Sequence, residues 1–113
     1  MLAFFNSKFS EQKNDIMDDY HKISTRTLEE LADFFESSWA GADIDLFENG
    51  LTVHLPKDHQ YVINKHGVTH QIWVASPFTG AHHFRHQNGE WRCTRTNICL
   101  EDLLTKERNA HAS

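Results

Sequence analysis

Carboxylate side chains crowd the first half of the sequence and are the residues best suited to chemistry. Residues 11–48 contain eleven acids and three bases, whereas residues 49–113 contain five acids and seven bases. Because hard metal ions prefer carboxylate oxygens, this half could bind a cation or a basic partner surface. The simpler interpretation is a solvated helix face. Lys22 and Arg26 interrupt the row of acids. Six acids fall near one face of a predicted helix: Asp15, Asp18, Asp19, Glu29, Glu30 and Asp33.

A tryptophan in a predicted strand is the second candidate. Trp73 alternates with Ile72 and Val74, so its side chain should point to the opposite face of a sheet. A large aromatic residue on a solvent-facing sheet surface indicates a docking site. Aromatic residues are also common in cores, which is the plainer interpretation.

Histidine is abundant, with nine residues in the chain, and His82, His83 and His86 lie close together in sequence. A zinc or copper site is one interpretation. However, neighbouring strand residues face opposite sides, so His82 and His83 should diverge. Surface histidines are therefore the simpler interpretation.

The elements that must position these residues can be predicted from periodicity. Apolar residues spaced by three and four predict a helix over residues 15–38, closed by Gly41. Short alternating segments then predict strands near residues 43–47, 51–55, 60–64, 70–75, 81–86 and 90–93. Asn88-Gly89 is the clearest hairpin turn, and a second helix is predicted over residues 100–108. Asn97 tolerates a left-handed turn, and Cys99 should cap that helix poorly.

These elements predict an α+β domain in which two terminal helices pack on one face of a five- to six-stranded antiparallel sheet. We expect a flexible N-terminal tail over residues 1–13, one domain over 14–108 and a short C-terminal tail over 109–113. The net charge of −5 argues against nucleic-acid binding, and no apolar run is long enough for a membrane span. No nucleophile–base pair, phosphate loop or cofactor motif indicates a conventional enzyme.

The chain resembles the frataxin family at several separate places. Tyr61-Val62-Ile63-Asn64-Lys65, Gln71-Ile72-Trp73 and the Ser76-Pro77-x-x-Gly80 turn resemble the family signature. Gly89-Glu90-Trp91, Leu103-Leu104, the helix segment 27–35 and Asp43-Ile44-Asp45 resemble its other landmarks. The resemblance runs almost without gaps from about Asp19 to Leu104 and follows the element order predicted above.

The resemblance implies an α-β sandwich that binds ferrous or ferric iron weakly and serves iron–sulfur cluster assembly. Its iron ligands would be nine carboxylates, here named the acidic ridge: Asp15, Asp18, Asp19, Glu29, Glu30, Asp33, Glu36, Asp43 and Asp45. The alternative that it implies is a weak ferroxidase or iron-storage protein using the same ridge. Thr25 and Arg26 stand where relatives often have acids, so we expect fewer bound ions than in a fully acidic relative.

The resemblance also implies docking on the complex of cysteine desulfurase and iron–sulfur scaffold protein. The implied contact residues are Asn64, His66, Gln71, Ile72, Trp73 and His83. His66 and His83 depart from the residues usual in the family, so docking could depend on pH. We expect a protein that is monomeric without iron and that resides in the mitochondrial matrix, with the bacterial cytoplasm as the alternative.

Overall fold

The computed structural model describes residues 16–112, with side chains from Asp19 to Ala112. The first helix, α1 (Ile16–Ser38), buries Leu28, Leu31 and Phe35, which recur on one side at helical spacing. Gly41 follows with a φ of +81°, the left-handed conformation that the sequence predicts for a residue closing a helix. The predicted tail over residues 1–13 lies outside the described residues.

Six strands follow α1 in one antiparallel sheet, and each strand pairs with its neighbour in sequence. They are β1 (Asp43–Leu46), β2 (Gly50–Leu55), β3 (His59–His66), β4 (Gln71–Ser76), β5 (Gly80–Gln87) and β6 (Glu90–Cys93). The Asn88-Gly89 hairpin is confirmed, since both residues have positive φ angles of 54° and 81°. The sequence placed Lys65 and His66 in a loop, but β3 continues through them because His66 pairs with Gln71 on β4.

Both helices cover the same face of the sheet, as predicted, and the core lies between them and the strands. Phe35, Tyr61, Ile63, Ile72 and Phe84 are fully buried there. The other face, here named the open face, carries no helix. Because strand side chains alternate, the residues facing the core and those on the open face follow directly from the register.

The second helix, α2 (Leu100–His111), extends past the predicted end near Arg108. Cys99 precedes it and makes no side-chain capping bond, as its residue type predicts. The longer end is supported by His111, whose ring stacks on Phe78 with centroids 3.9 Å apart. Neither helix in the described part of the chain is long and apolar enough to cross a lipid bilayer.

A carboxylate that the sequence analysis did not single out ties α2 to the sheet. Glu107 is 3% exposed and accepts hydrogen bonds from Tyr61 Oη at 2.5 Å and Ser76 Oγ at 2.7 Å. Its second oxygen accepts one from Thr79 Oγ1 at 2.5 Å. Burial is the largest cause that raises the pKa of Tyr61, and its own hydrogen bond to Glu107 is the next, so the phenol remains protonated and donates.

His82 extends the Glu107 network. Thr79 donates its only hydroxyl proton to Glu107, so His82 Nε2–H must donate to Thr79 Oγ1 across 2.7 Å. In that tautomer Nδ1 carries no proton, and its lone pair is buried without a hydrogen-bond partner among the described residues. Protonating Nδ1 would bury a charged donor, and desolvation accordingly lowers the pKa of His82.

Stability should therefore fall in mild acid. Burial lowers the pKa of both His82 and His86 in the folded state, so below about pH 6.5 the unfolded chain binds more protons. The free energy of unfolding is expected to drop by up to about 1 kcal/mol per histidine between pH 7.5 and 5.5. Urea unfolding at both pH values measures this change, and His82→Asn should reduce it. An equal drop in the variant would contradict the assignment to His82.

Candidate functional site

The acidic ridge occupies the solvent side of α1 and the neighbouring edge strand β1. Asp15 lies outside the described residues, as does the side chain of Asp18. The other seven carboxylates are all exposed: Asp19, Glu29, Glu30, Asp33, Glu36, Asp43 and Asp45. Within the described residues, no three of the aspartate, glutamate, histidine or cysteine side chains form a group that could hold one metal ion. The ridge is thus a charged surface, in which ligands would have to be recruited from neighbouring positions.

Charge along α1 is coupled to the second helix. Partial burial, as the largest cause, raises the pKa of Glu30, and the Glu101 carboxylate at the start of α2 adds to that rise. The positive charge of Arg26 opposes it. A bound cation near Glu30 would relieve the repulsion between these carboxylates, but Arg26 already supplies part of that relief.

On β1 the two acidic residues flank an apolar residue that packs against the core. Ile44 packs against the core, so Asp43 and Asp45 point to the opposite side of the strand. The register places them beside His54 and Thr52 of β2, respectively. The ridge therefore wraps around the sheet edge, with the α1 acids on one side and the two β1 acids on the other.

A shallow groove between α1 and the β1–β2 turn is a feature that the sequence analysis missed. It is lined by His21, Thr25, Leu28, Glu29, Leu46, Phe47 and Glu48. Beside it, Lys65 Nζ donates to Thr25 Oγ1 at 2.6 Å and lies 3.1 Å from His21 Nδ1. Burial lowers the pKa of Lys65. Its ammonium opposes cation binding at this end of the ridge. The sequence could not predict this, because it does not show that Lys65 lies against α1.

Trp73 lies at the centre of the open face, where it stacks between two histidines. The His66 ring covers one face of the indole at a centroid distance of 3.8 Å, and the His83 ring covers the other at 4.1 Å. The interplanar angles are 10° and 12°. The indole lies on the face opposite Ile72 and Val74, as strand alternation predicts, and it is partly exposed, so it offers a partner its edge.

Polar neighbours fix the position of this ring. Trp73 Nε1–H donates to Gln71 Oε1 at 2.8 Å, and Gln71 is itself 9% exposed. Asn64 pairs with Trp73 across the β3–β4 ladder and is exposed. On its other side Asn64 pairs with Gly50, where a Cβ atom would clash with the Asn64 amide oxygen. The missing side chain of Gly50 thus leaves room for Asn64.

Ile72 does not belong to the contact patch. Its side chain is 0% exposed and faces the helices, opposite to Trp73. The prediction that it contacts a partner is therefore wrong, and it supports the open face from the core. His82 and His83 lie on opposite sides of β5, as strand alternation predicts: His82 joins the Glu107 network, whereas His83 stacks on Trp73.

Comparisons with known proteins converge on one family. Residues 14–113 match the model of the frataxin-like domain. The chain is 32% identical over 94 residues to the iron–sulfur cluster assembly protein CyaY of Photobacterium profundum, covering 83% of this chain and 89% of that protein. It is 36% identical over 97 residues to the mitochondrial frataxin homologue of Saccharomyces cerevisiae, covering 86% of this chain and 55% of that protein.

Solved structures agree with this result. Yeast frataxin superposes with a TM-score of 0.69 at 32% identity, covering 95% of this chain and 93% of that one. A trimeric yeast frataxin complexed with ferrous iron superposes with a TM-score of 0.60 at 34% identity, covering 90% of this chain and 89% of that one. Frataxin from Psychromonas ingrahamii superposes with a TM-score of 0.72 at 22% identity, covering 80% of this chain and 86% of that one. This likeness supports the arrangement of two helices on an antiparallel sheet.

Proposed function

This chain belongs to the frataxin-like family, and we propose that it serves iron–sulfur cluster assembly by docking on the cysteine desulfurase–scaffold complex and carrying weakly held iron. The name of the Photobacterium relative supports the pathway, because the chain covers most of that protein at 32% identity. The relatives include a mitochondrial and a bacterial protein, and we propose the mitochondrial matrix as the compartment.

The observation that carries the docking proposal is Trp73 at the centre of a sheet face without a helix. Partly exposed aromatic residues held rigid by their neighbours are typical anchors of protein interfaces. Here the hydrogen bond to Gln71 and the two stacked rings hold the indole in place before any partner arrives. Docking would therefore cost little side-chain entropy at this residue.

Iron is proposed as cargo held on the acidic ridge. The donors suit it chemically, since hard iron ions prefer carboxylate oxygens. Their geometry suits weak and exchangeable binding, because the exposed carboxylates on α1 and β1 form no three-ligand group within the described residues. The ferrous complex of the yeast structure adds support from a relative at 34% identity.

Sulfide production tests the docking proposal. A purified cysteine desulfurase–scaffold complex would be assayed anaerobically with ferrous iron and increasing amounts of this protein. A saturable change in rate is expected, and its sign identifies an activator or a brake. An unchanged rate at saturating protein, with the fold verified by circular dichroism, would contradict docking.

Neutralising two ridge acids should weaken iron binding. The double variant Glu29→Gln with Asp33→Asn removes two exposed carboxylates one helical turn apart. Ferrous affinity, measured anaerobically by calorimetry at low salt, is expected to fall roughly three- to tenfold because the lost charges no longer attract the ion.

A matched control has the same change in net charge outside the ridge. Asp58→Asn with Glu90→Gln alters two exposed acids in the β2–β3 turn and on β6. Equal losses of affinity in both double variants would rule out a ridge-specific site. Repeating the comparison under air tests the alternative function: ferrous oxidation that is fast in the wild type and slow only in the ridge variant would indicate a ferroxidase.

A further inference from the structure

The middle of the chain has an unusual distribution of titratable residues. Residues 59–89 contain no aspartate or glutamate, yet they hold six of the nine histidines, together with Lys65 and Arg85. In the fold this stretch forms β3, β4 and β5, the strands that carry the central part of the open face. Any proton bound here adds positive charge without a carboxylate on the same strands to neutralise it.

Two of these histidines flank the proposed docking anchor. His66 and His83 stack on opposite faces of Trp73 at 3.8 and 4.1 Å. His66 Nδ1 is also 2.7 Å from Thr69 Oγ1, while the Thr94 backbone N–H donates to the His83 carbonyl oxygen at 2.9 Å. The His66 imidazole is therefore held by Thr69 and by the stack, whereas the His83 imidazole is held by the stack alone, on a backbone fixed between β4 and β6.

The charged groups around the stack are mostly positive. On β5, Arg85 lies two residues beyond His83 and pairs with Gln71 and, on β6, with Arg92. Beyond β6, the Arg95 guanidinium lies 3.5 Å from the carbonyl oxygen of Ala81. The acid nearest in register is Glu90, which is exposed and bonded to Arg92 at 2.5 Å.

Carboxylates on the other side of the open face are farther away in the sheet. Asp43 and Asp45 lie on β1, and β2 separates that strand from β3. Between them and the stack, β2 contributes the neutral Thr52 and the titratable His54, and β3 contributes Asn64. The Glu48 carboxylate in the β1–β2 turn acts on Lys65, next to His66, so it is the acid that opposes this charge from that side. Protonation of His66 and His83 thus adds positive charge to strands β3–β5, which carry no carboxylate of their own.

We propose that the open face fits a carboxylate-rich patch on the partner complex, and that protonation of His66 and His83 strengthens this contact as the pH falls from 8 to 6. The proposal rests on the docking function proposed above and adds the chemistry of the partner surface. Histidine is the side chain that ordinarily changes charge in this range. An imidazolium also stacks favourably on an indole, so protonation retains the stack and fixes the new charges.

Binding at two pH values tests the proposal. Affinity for the purified desulfurase–scaffold complex would be measured at pH 8 and pH 6 with wild-type protein and with the double variant His66→Gln, His83→Gln. Between pH 8 and pH 6 the affinity of the wild type should rise by a factor that is roughly fivefold or more larger than the factor for the double variant. Titration of groups on the partner complex affects both proteins equally, so it cancels when the two gains are compared. His54→Gln, which alters an exposed histidine outside the stack, should retain the full gain.

A second readout needs no partner. The Trp73 indole N–H signal in ¹H–¹⁵N spectra should shift between pH 8 and 6 in the wild type but not in the double variant. Equal pH dependence of binding in both proteins, a larger gain at pH 6 in the double variant than in the wild type, or a Trp73 signal that does not move in the wild type would each overturn the proposal. Binding that is flat with pH leaves the docking function standing, whereas no binding at either pH overturns both.

Discussion

Replacing Glu107 with alanine is expected to lower the free energy of unfolding by about 3–4 kcal/mol. The carboxylate is 3% exposed and accepts hydrogen bonds from Tyr61, Ser76 and Thr79. Removing it leaves the buried hydroxyl groups of Tyr61 and Ser76 without their acceptor, together with the hydroxyl of the exposed residue Thr79, and opens a cavity between α2 and the sheet. Each buried donor that loses its partner costs about 1–3 kcal/mol, less where water or another acceptor can replace it.

Two further variants separate the hydrogen-bond network from the charge. Glu107→Gln retains the shape and one acceptor oxygen, so its loss should be about 1–2 kcal/mol. Glu101→Gln changes an exposed acid in the first turn of the same helix and should stay within about 0.5 kcal/mol of the wild type. Guanidinium unfolding at pH 7 measures all three. A loss below about 1 kcal/mol for Glu107→Ala would show that the network contributes little.

The Glu107 network also shows where sequence reasoning stopped. Lys106 and Arg108 flank Glu107 in sequence, and nothing in the predicted helix over residues 100–108 marks this position as buried. Its burial depends on Tyr61, which is 46 residues away in sequence, and on a turn in the Ser76–Thr79 region. Periodicity in the sequence predicts which residues share one face of a helix or strand. It does not predict which polar groups of another element will lie against that face.

Local chemistry, in contrast, was well predicted. The Asn88-Gly89 hairpin, the left-handed Asn97 with a φ of 66° and the uncapped Cys99 all follow from properties of single residues. The layered fold follows from hairpin-linked strands between two amphipathic helices, and the family resemblance agreed with it. These features depend on a few neighbouring residues, which is the information that a single sequence contains.

The docking patch lies between these two cases. Strand alternation put Ile72 and Trp73 on opposite faces, and the structure confirms that, so the wrong assignment of Ile72 came from taking the family patch as a block. The stack could not be predicted, because it needs the register that brings His83 opposite Trp73 and His66 diagonally across from it. Register in turn depends on where each strand ends, and the predicted third strand ended two residues too early.

Replacing Trp73 with alanine is expected to remove most of the effect of this protein on sulfide production at the lowest concentration that saturates with the wild type. An aromatic residue that anchors an interface commonly contributes about 2 kcal/mol or more, which corresponds to roughly a 30-fold loss of affinity. The loss should be large here because the indole also organises its neighbours. Without it His66 and His83 lose their stacking partner, and Gln71 loses the donor for its amide oxygen.

Control variants distinguish docking from folding. Trp73→Phe keeps a flat ring between the histidines but cannot donate to Gln71, so it should retain part of the activity. Phe47→Ala removes a more exposed aromatic residue, 60% exposed in the β1–β2 turn, and should leave the effect on sulfide production near the wild-type value. Unfolding measured on each variant verifies that the proteins are folded in the assay. If folded Trp73→Ala still changed the rate as the wild type does, the open face would not be the docking surface, and the acidic ridge with its groove would become the surface to test.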